Sequence, residues 1–121
     1  SINNLQSEKS MAKTNAAFMS GVPELLVLRL LSREEMYGYQ IVRGIRQATG
    51  ESIILAEGVI YPTLHGLEKK GYLSARSRTV EGRSRVYYHI TAKGKKRFAA
   101  ISKQWNKITA SVNACLEFAY V

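Results

Sequence analysis

Residues 57–91 constrain the architecture more than any other part of the chain: EGVIYPTLHGLEKKG, then YLSARSR, a turn at TVEGRS, and RVYYHIT. In the first run Ile60, Leu64 and Leu67 recur at helical spacing and define one face to be buried. Beyond Gly71 the period drops to two, as a strand requires. Val86, Tyr88 and Ile90 point one way while Arg83, Arg85, Tyr87 and His89 point the other, and across the turn Leu73, Ala75 and Ser77 alternate with Arg76 and Arg78. Gly82 gives the bend its conformational freedom.

The face of the helix opposite Ile60 holds Gly58, Val59, Pro62, His65, Gly66 and Lys69, with no carboxylate among them. Two glycines and a proline are poor choices for helix stability, since one interior glycine costs about 1 kcal/mol relative to alanine. They make sense where a base edge or a sugar-phosphate chain must come close to the backbone. The alternative is a loose first turn, with Gly58 and Pro62 marking an irregular entry. Four arginines on the ribbon and its tip repel one another by up to roughly 1 kcal/mol per opposed pair, which a polyanion would relieve. A solvated arginine-rich hairpin with no partner is the competing interpretation. Helix and basic ribbon together read as a winged helix that presents itself to DNA.

Charge distribution favours a polyanionic partner. The net charge is +9 over 121 residues, and residues 72–97 carry Arg76, Arg78, Arg83, Arg85, Lys93, Lys95, Lys96 and Arg97 against Glu81 alone, which leaves +7 in that stretch. A basic membrane-surface helix over Lys93 to Arg97 fits less well, because no long apolar run accompanies it. The chain lacks a membrane-spanning stretch and a signal-like apolar run, so no membrane partner is expected. One cysteine, Cys115, cannot close an internal disulfide, and a cytoplasmic location is expected.

Three segments are expected: a polar N-terminal stretch at 1–13, a winged helix-turn-helix domain at 14–91 and a C-terminal dimerisation helix at 92–121. The class is mainly α with a small β-hairpin. Sequence alone leaves open whether residues before Met11 belong to the natural chain. Asn15 to Ser32 reads as a helix that Pro23 either opens or kinks, and its apolar excess hints at a partner beyond the domain. Tyr37 and Gly38 start a second helix with Ile41, Val42 and Ile45 inward and Gly50 as its stop. ESIILAEG is too short for a helix and reads as a short strand or an extended link.

After Thr91, a plausible N-cap, Phe98, Ile101, Trp105, Ile108, Val112, Cys115 and Ala119 recur at alternating steps of three and four. A seam of about 30 residues would run some 45 Å, further than a small winged domain covers. A second copy of the helix, or the apolar first helix of a partner chain, would bury it; packing on the chain's own domain is the alternative.

Catalysis has little support. The chain has no aspartate, His65 and His89 lie on the helix and ribbon just described, and no nucleophile has a base and an orienting carboxylate at a motif spacing. Metal ligands are not clustered and no phosphate-cradling glycine loop is present, so neither a metal nor another cofactor is expected.

The motifs resemble those of the PadR family of bacterial transcriptional regulators. YGYQIVRGI is similar to that family's YGYEI helix, EGVIYPTLHGLEKKGYL to its L-Y-P and L-E-x-x-G recognition-helix pattern, and RVYYHITAKG to its R-x-Y-Y-x-L-T-x-x-G. Ile60 stands where leucine is commoner, and Ala56 where the family often has a serine cap. The resemblance implies a homodimeric repressor that binds double-stranded DNA at an inverted repeat. Tyr37, Tyr39 and Arg43 would then contact phosphates, Val59, Tyr61, Pro62, His65 and Lys69 would lie at or near the bases, and Arg83 and Arg85 would belong to the wing. Arg76 and Arg78 join the candidate DNA-binding set from the ribbon itself. Trp105 matches the tryptophan that lines an aromatic-effector pocket between protomers in multidrug-sensing relatives; a plain dimer-core role competes with that. The function class that rivals the whole reading is a basic module for RNA or protein interaction without operator recognition.

Overall fold

A computed structural model describes residues 16–119; the polar stretch 1–13, with Met11, lies outside the described residues. A single turn of tight helix at Ala16–Phe18 precedes α1, Val22–Leu31. Gly21, at φ 79°, separates the two, and Pro23 falls in the first turn of α1, where its missing N–H is not needed. The helix expected from Asn15 is therefore interrupted, and Pro23 opens the regular part. Val27, Leu28 and Leu31 are buried, and α1 touches every later helix of the chain as well as the sheet. Leu25, Leu26 and Leu30 stay half-buried in the single chain.

Met36–Tyr37 form a two-residue strand, β1, and Gly38–Ala48 form α2. Gln40 Oε1 accepts from the Tyr37 backbone N–H at 3.1 Å and so caps α2 at its start. Ile41 and Ile45 are buried, with Val42 half-buried beside them. The helix ends before Gly50 at φ 58°, and Glu51 keeps the left-handed turn at φ 69° while its carboxylate pairs with Arg46. ESIILAEG is an extended link rather than a strand, and it drops Leu55 into the core.

Helix α3 spans Glu57–Lys69 and buries Ile60, Leu64 and Leu67, the face that periodicity selects. Its first turn is regular: the N–H groups of Val59 and Ile60 both donate to the Ala56 carbonyl, at 2.9 and 3.0 Å. Gly58 and Pro62 sit inside a formed helix, not in a frayed entry. Strands β2, Leu73–Val80, and β3, Arg83–Ile90, pair antiparallel from Leu73 opposite Ile90 to Val80 opposite Arg83. The hairpin is part of a three-stranded sheet in the order β1-β3-β2, with Met36 opposite Tyr88 and Tyr37 opposite Tyr87.

Two side chains of β3 keep their expected directions but not their expected exposure. Tyr87, read as part of the exposed face, is 7% exposed, because the Tyr37 ring meets it edge-on at 5.4 Å and the Arg78 guanidinium lies 4.6 Å over it. Val86, read as inward, is 45% exposed, because the strands run past the edge of the helical core.

The last helix, α4, spans Ala92–Glu117 and is about 39 Å long at 1.5 Å per residue. Its start is locked to the turn between α3 and β2. Thr91 Oγ1 accepts from the Gly94 N–H at 3.0 Å and donates to the Gly71 carbonyl at 2.6 Å. Lys93 Nζ donates to the Lys70 carbonyl at 2.7 Å and lies over the Tyr72 ring. Arg97 Nε donates to Glu24 Oε1 of α1 at 2.7 Å, and that bond holds the guanidinium pKa above its ordinary value.

Candidate nucleic-acid interface

The outward face of α3 presents Val59, Tyr61, Pro62, His65 and Lys69, all exposed. Thr63 Oγ1, half-buried between them, donates back to the Val59 carbonyl at 2.7 Å. Pro62 has no N–H to give the Gly58 carbonyl four residues earlier. A β-carbon on Gly58 or Gly66 would meet no other atom within 4 Å. Internal packing does not demand glycine at either position, and what the two glycines provide is access to the backbone of an exposed helix face.

Beside α3 lies the start of α2. Tyr39 is 63% exposed and Arg43 lies one turn further on, exposed as well. Gly38 lets the Tyr61 ring close over it: a β-carbon there would stand 3.0 Å from the Tyr61 ring and its hydroxyl. Tyr37, Gly38, Tyr61, His65, Arg85, Val86 and Tyr88 line a cleft of about 300 Å³ between α3 and the flank of β3. The Tyr61 and His65 rings stand 6.4 Å apart within it, and the Arg85 guanidinium lies 4.4 Å above the Tyr37 ring. Burial pushes the Tyr88 phenol above its ordinary pKa, with the Glu68 carboxylate and Tyr61 adding to the shift, so Tyr88 is neutral at physiological pH.

The basic ribbon does not act as one patch. Arg83, at the mouth of the turn, is exposed and has no ion pair among the described residues. Arg76 and Arg78 both bind Glu35, just before β1: Arg76 Nη2 donates to Oε2 at 2.9 Å and to Oε1 at 3.2 Å, and Arg78 Nη1 donates to Oε1. The β2–β3 register puts these two arginines on the face of the sheet opposite Leu73 and Ala75, turned away from the core. Tyr37, Tyr61, His65 and Arg85 line one cleft, with the exposed Tyr39, Arg43, Val59, Pro62 and Lys69 on the two helices beside it, while Arg76 and Arg78 share the sheet face of Tyr87 and Arg85 and are held there by Glu35. Glu35 carries no periodic signal, and its partners lie 41 and 43 residues away.

The C-terminal seam also divides. Phe98 and Ile101 pack against the chain's own core. Trp105, Ile108 and Val112 are 44%, 59% and 49% exposed, and Cys115 is exposed as a free thiol. Among the described residues no cluster of His, Cys, Asp or Glu could hold a metal, and no helix is long and apolar enough to cross a membrane.

Two helices, a following hairpin wing and a long terminal helix define a winged helix-turn-helix transcriptional regulator. Residues 27–100 match the model of the transcriptional regulator PadR-like family, and the chain belongs to that family. It is 30% identical over 78 residues to the transcriptional regulator Rv3488 of Mycobacterium tuberculosis, spanning 64% of this chain and 70% of that protein. A PadR-like transcriptional regulator from Bacillus cereus superposes with a TM-score of 0.74 at 29% identity, covering 85% of this chain and 99% of that one. A PadR family regulator from Clostridium difficile gives a TM-score of 0.70 at 27% identity over 78% of this chain and 97% of its own. The family is one of transcriptional regulators.

Proposed function

We propose that the chain is a homodimeric repressor that grips double-stranded DNA at an inverted-repeat operator. The observation that carries this reading is a cleft lined by Tyr37, Tyr61, His65 and Arg85, beside the exposed Tyr39 and Arg43 of α2, the exposed Val59, Pro62 and Lys69 of α3 and the exposed Arg83 of the wing. In this reading α3 enters the major groove, Val59, Tyr61, Pro62, His65 and Lys69 face base edges, and Tyr37, Tyr39 and Arg43 meet phosphates. Residues 14–91 form the DNA-binding unit and 92–121 the dimerising one. Trp105, Ile108, Val112 and Cys115 of two copies cover one another, a reading supported by their exposure in the single chain. Phe98 and Ile101 contribute by fixing the root of the same helix. Action on the chromosome places the protein in the cytoplasm.

Trp105 is the candidate seat for a flat aromatic effector between the two copies. Its 44% exposure leaves a ring face to share. Quenching of this tryptophan, the only one in the chain, by planar compounds would support the role; a flat response across a varied panel would remove it.

Selection of bound fragments from random duplex DNA tests the whole. An enriched inverted repeat with half-sites about 34 Å apart, or a multiple of it, is expected. Asymmetric sites only, or retention of duplex RNA in preference to DNA, would overturn it.

A further inference from the structure

The carboxylate of Glu35 stands between two arginines that would otherwise add to the basic face of the wing. Its side chain is 23% exposed, and it holds both guanidinium groups at once. The pairing is not an isolated surface contact of the kind that contributes little. Arg78 is also held by the Tyr87 ring beneath it, Tyr87 by the Tyr37 ring beside it, and the Tyr37 ring carries Arg85 on its own face. Four side chains thus form one row of cation, ring, ring and cation, the two rings meeting edge-on, with the anion at the Arg78 end. Register opposes Arg78 to Arg85 directly, so their repulsion is relieved from within the chain by Glu35 and the two tyrosines.

We propose that Glu35 is a specificity-determining residue that withholds Arg76 and Arg78 from phosphate, so that the wing approaches DNA with Arg83 and Arg85 alone. The proposal rests on the DNA-binding reading above. Non-specific affinity is set by how many phosphates are neutralised, whereas base discrimination belongs to α3. A carboxylate that removes cations from the sequence-blind part of the interface raises the ratio of specific to non-specific binding without touching a base.

Elution from immobilised heparin and the salt dependence of binding to random-sequence duplex test this on the full-length chain. Glu35→Gln is expected to elute at higher salt than the wild type and to steepen the log K against log salt slope by up to about two, roughly 0.9 for each arginine released. The control is Glu34→Gln, which makes the same charge change at an exposed neighbour with no ion pair among the described residues. It should shift elution much less. Arg76→Gln with Arg78→Gln should change the wild-type slope less than Arg83→Gln alone, and should abolish the gain seen in Glu35→Gln. Equal elution of the two glutamate variants overturns the proposal, as does a drop of about two in slope on removing Arg76 and Arg78 from the wild type. Thermal melts show whether each variant folds; were Glu35→Gln unfolded, the arginine double variant would decide alone. A heparin pattern as expected without duplex binding leaves the hold of Glu35 on the two arginines standing but overturns its role in DNA specificity together with the DNA reading. Duplex binding with indistinguishable glutamate variants does the reverse.

Discussion

Gly94 faces the backbone carbonyl of Tyr72 so closely that a β-carbon on it would lie 2.1 Å from that oxygen. An alanine in place of a helical glycine ordinarily gains about 1 kcal/mol. Here the opposing atom is backbone and cannot rotate away, and Ile90 Cγ1 closes the other side at 2.8 Å. Gly94→Ala should therefore destabilise the protein by at least about 1–3 kcal/mol, the range for overpacking a tight site. Urea unfolding followed by circular dichroism checks the sign.

Gly38→Ala should separate stability from binding. The new methyl would press on the Tyr61 ring, which is 40% exposed and free to swing outward. Stability should change by less than about 1 kcal/mol. Affinity for the selected operator should fall at least tenfold, because Tyr61 and the cleft it closes would no longer be in register with His65. An operator titration at fixed salt measures this; unchanged affinity would place Tyr61 outside the interface.

Arg83→Ala should weaken binding to all duplexes alike and reduce the salt slope by about 0.9, one phosphate contact. Arg85→Ala should do the same and, in addition, release the Tyr37 ring it covers. A loss confined to one sequence would mean that either residue reads bases instead.

The two parts of the C-terminal seam should respond differently. Ile101→Ala should cost on the order of 1–2 kcal/mol of protomer stability, less than the roughly 2–5 kcal/mol of a fully buried site, because Ile101 is half-buried on its own core. Ile108→Glu should leave the fold intact and raise the dimer dissociation constant by at least tenfold, about 1.4 kcal/mol. Sedimentation equilibrium with parallel melts distinguishes the two effects.

Burial of the Tyr88 phenol predicts an alkaline limit. Its folded pKa is raised above the ordinary value of 10, so the neutral form contributes stability that is full below about pH 10. The unfolded chain ionises first as pH rises, and that contribution is lost progressively up to the folded pKa. Tyr88→Phe should flatten the dependence, as measured by denaturant midpoints above and below pH 10.

Much of this was legible in the residues because it is local. Ile60, Leu64 and Leu67 share a face by helical geometry, and Leu73, Tyr88 and Ile90 by strand alternation; all are buried. The motif order carried the fold class. What stayed hidden depends on distant pairing. A two-residue strand leaves no period, so nothing in MY announced that Tyr37 would cover Tyr87. The grip of Glu35 on the ribbon arises only once β1 is laid beside β3. Likewise the heptad pattern runs unbroken from Phe98 to Ala119, and only the packed domain shows that its own core claims the residues before Trp105.

The clamp formed by Thr91, Lys93 and Gly94 leaves little play between the base of the wing and the long terminal helix. A rod fastened so firmly at one end works as a lever: in a dimer, tilting it by about 10° over its ~39 Å length would displace the far end by roughly 7 Å. Small rearrangements where two such rods cross would thus be delivered, magnified, as a change in the distance between the paired reading heads.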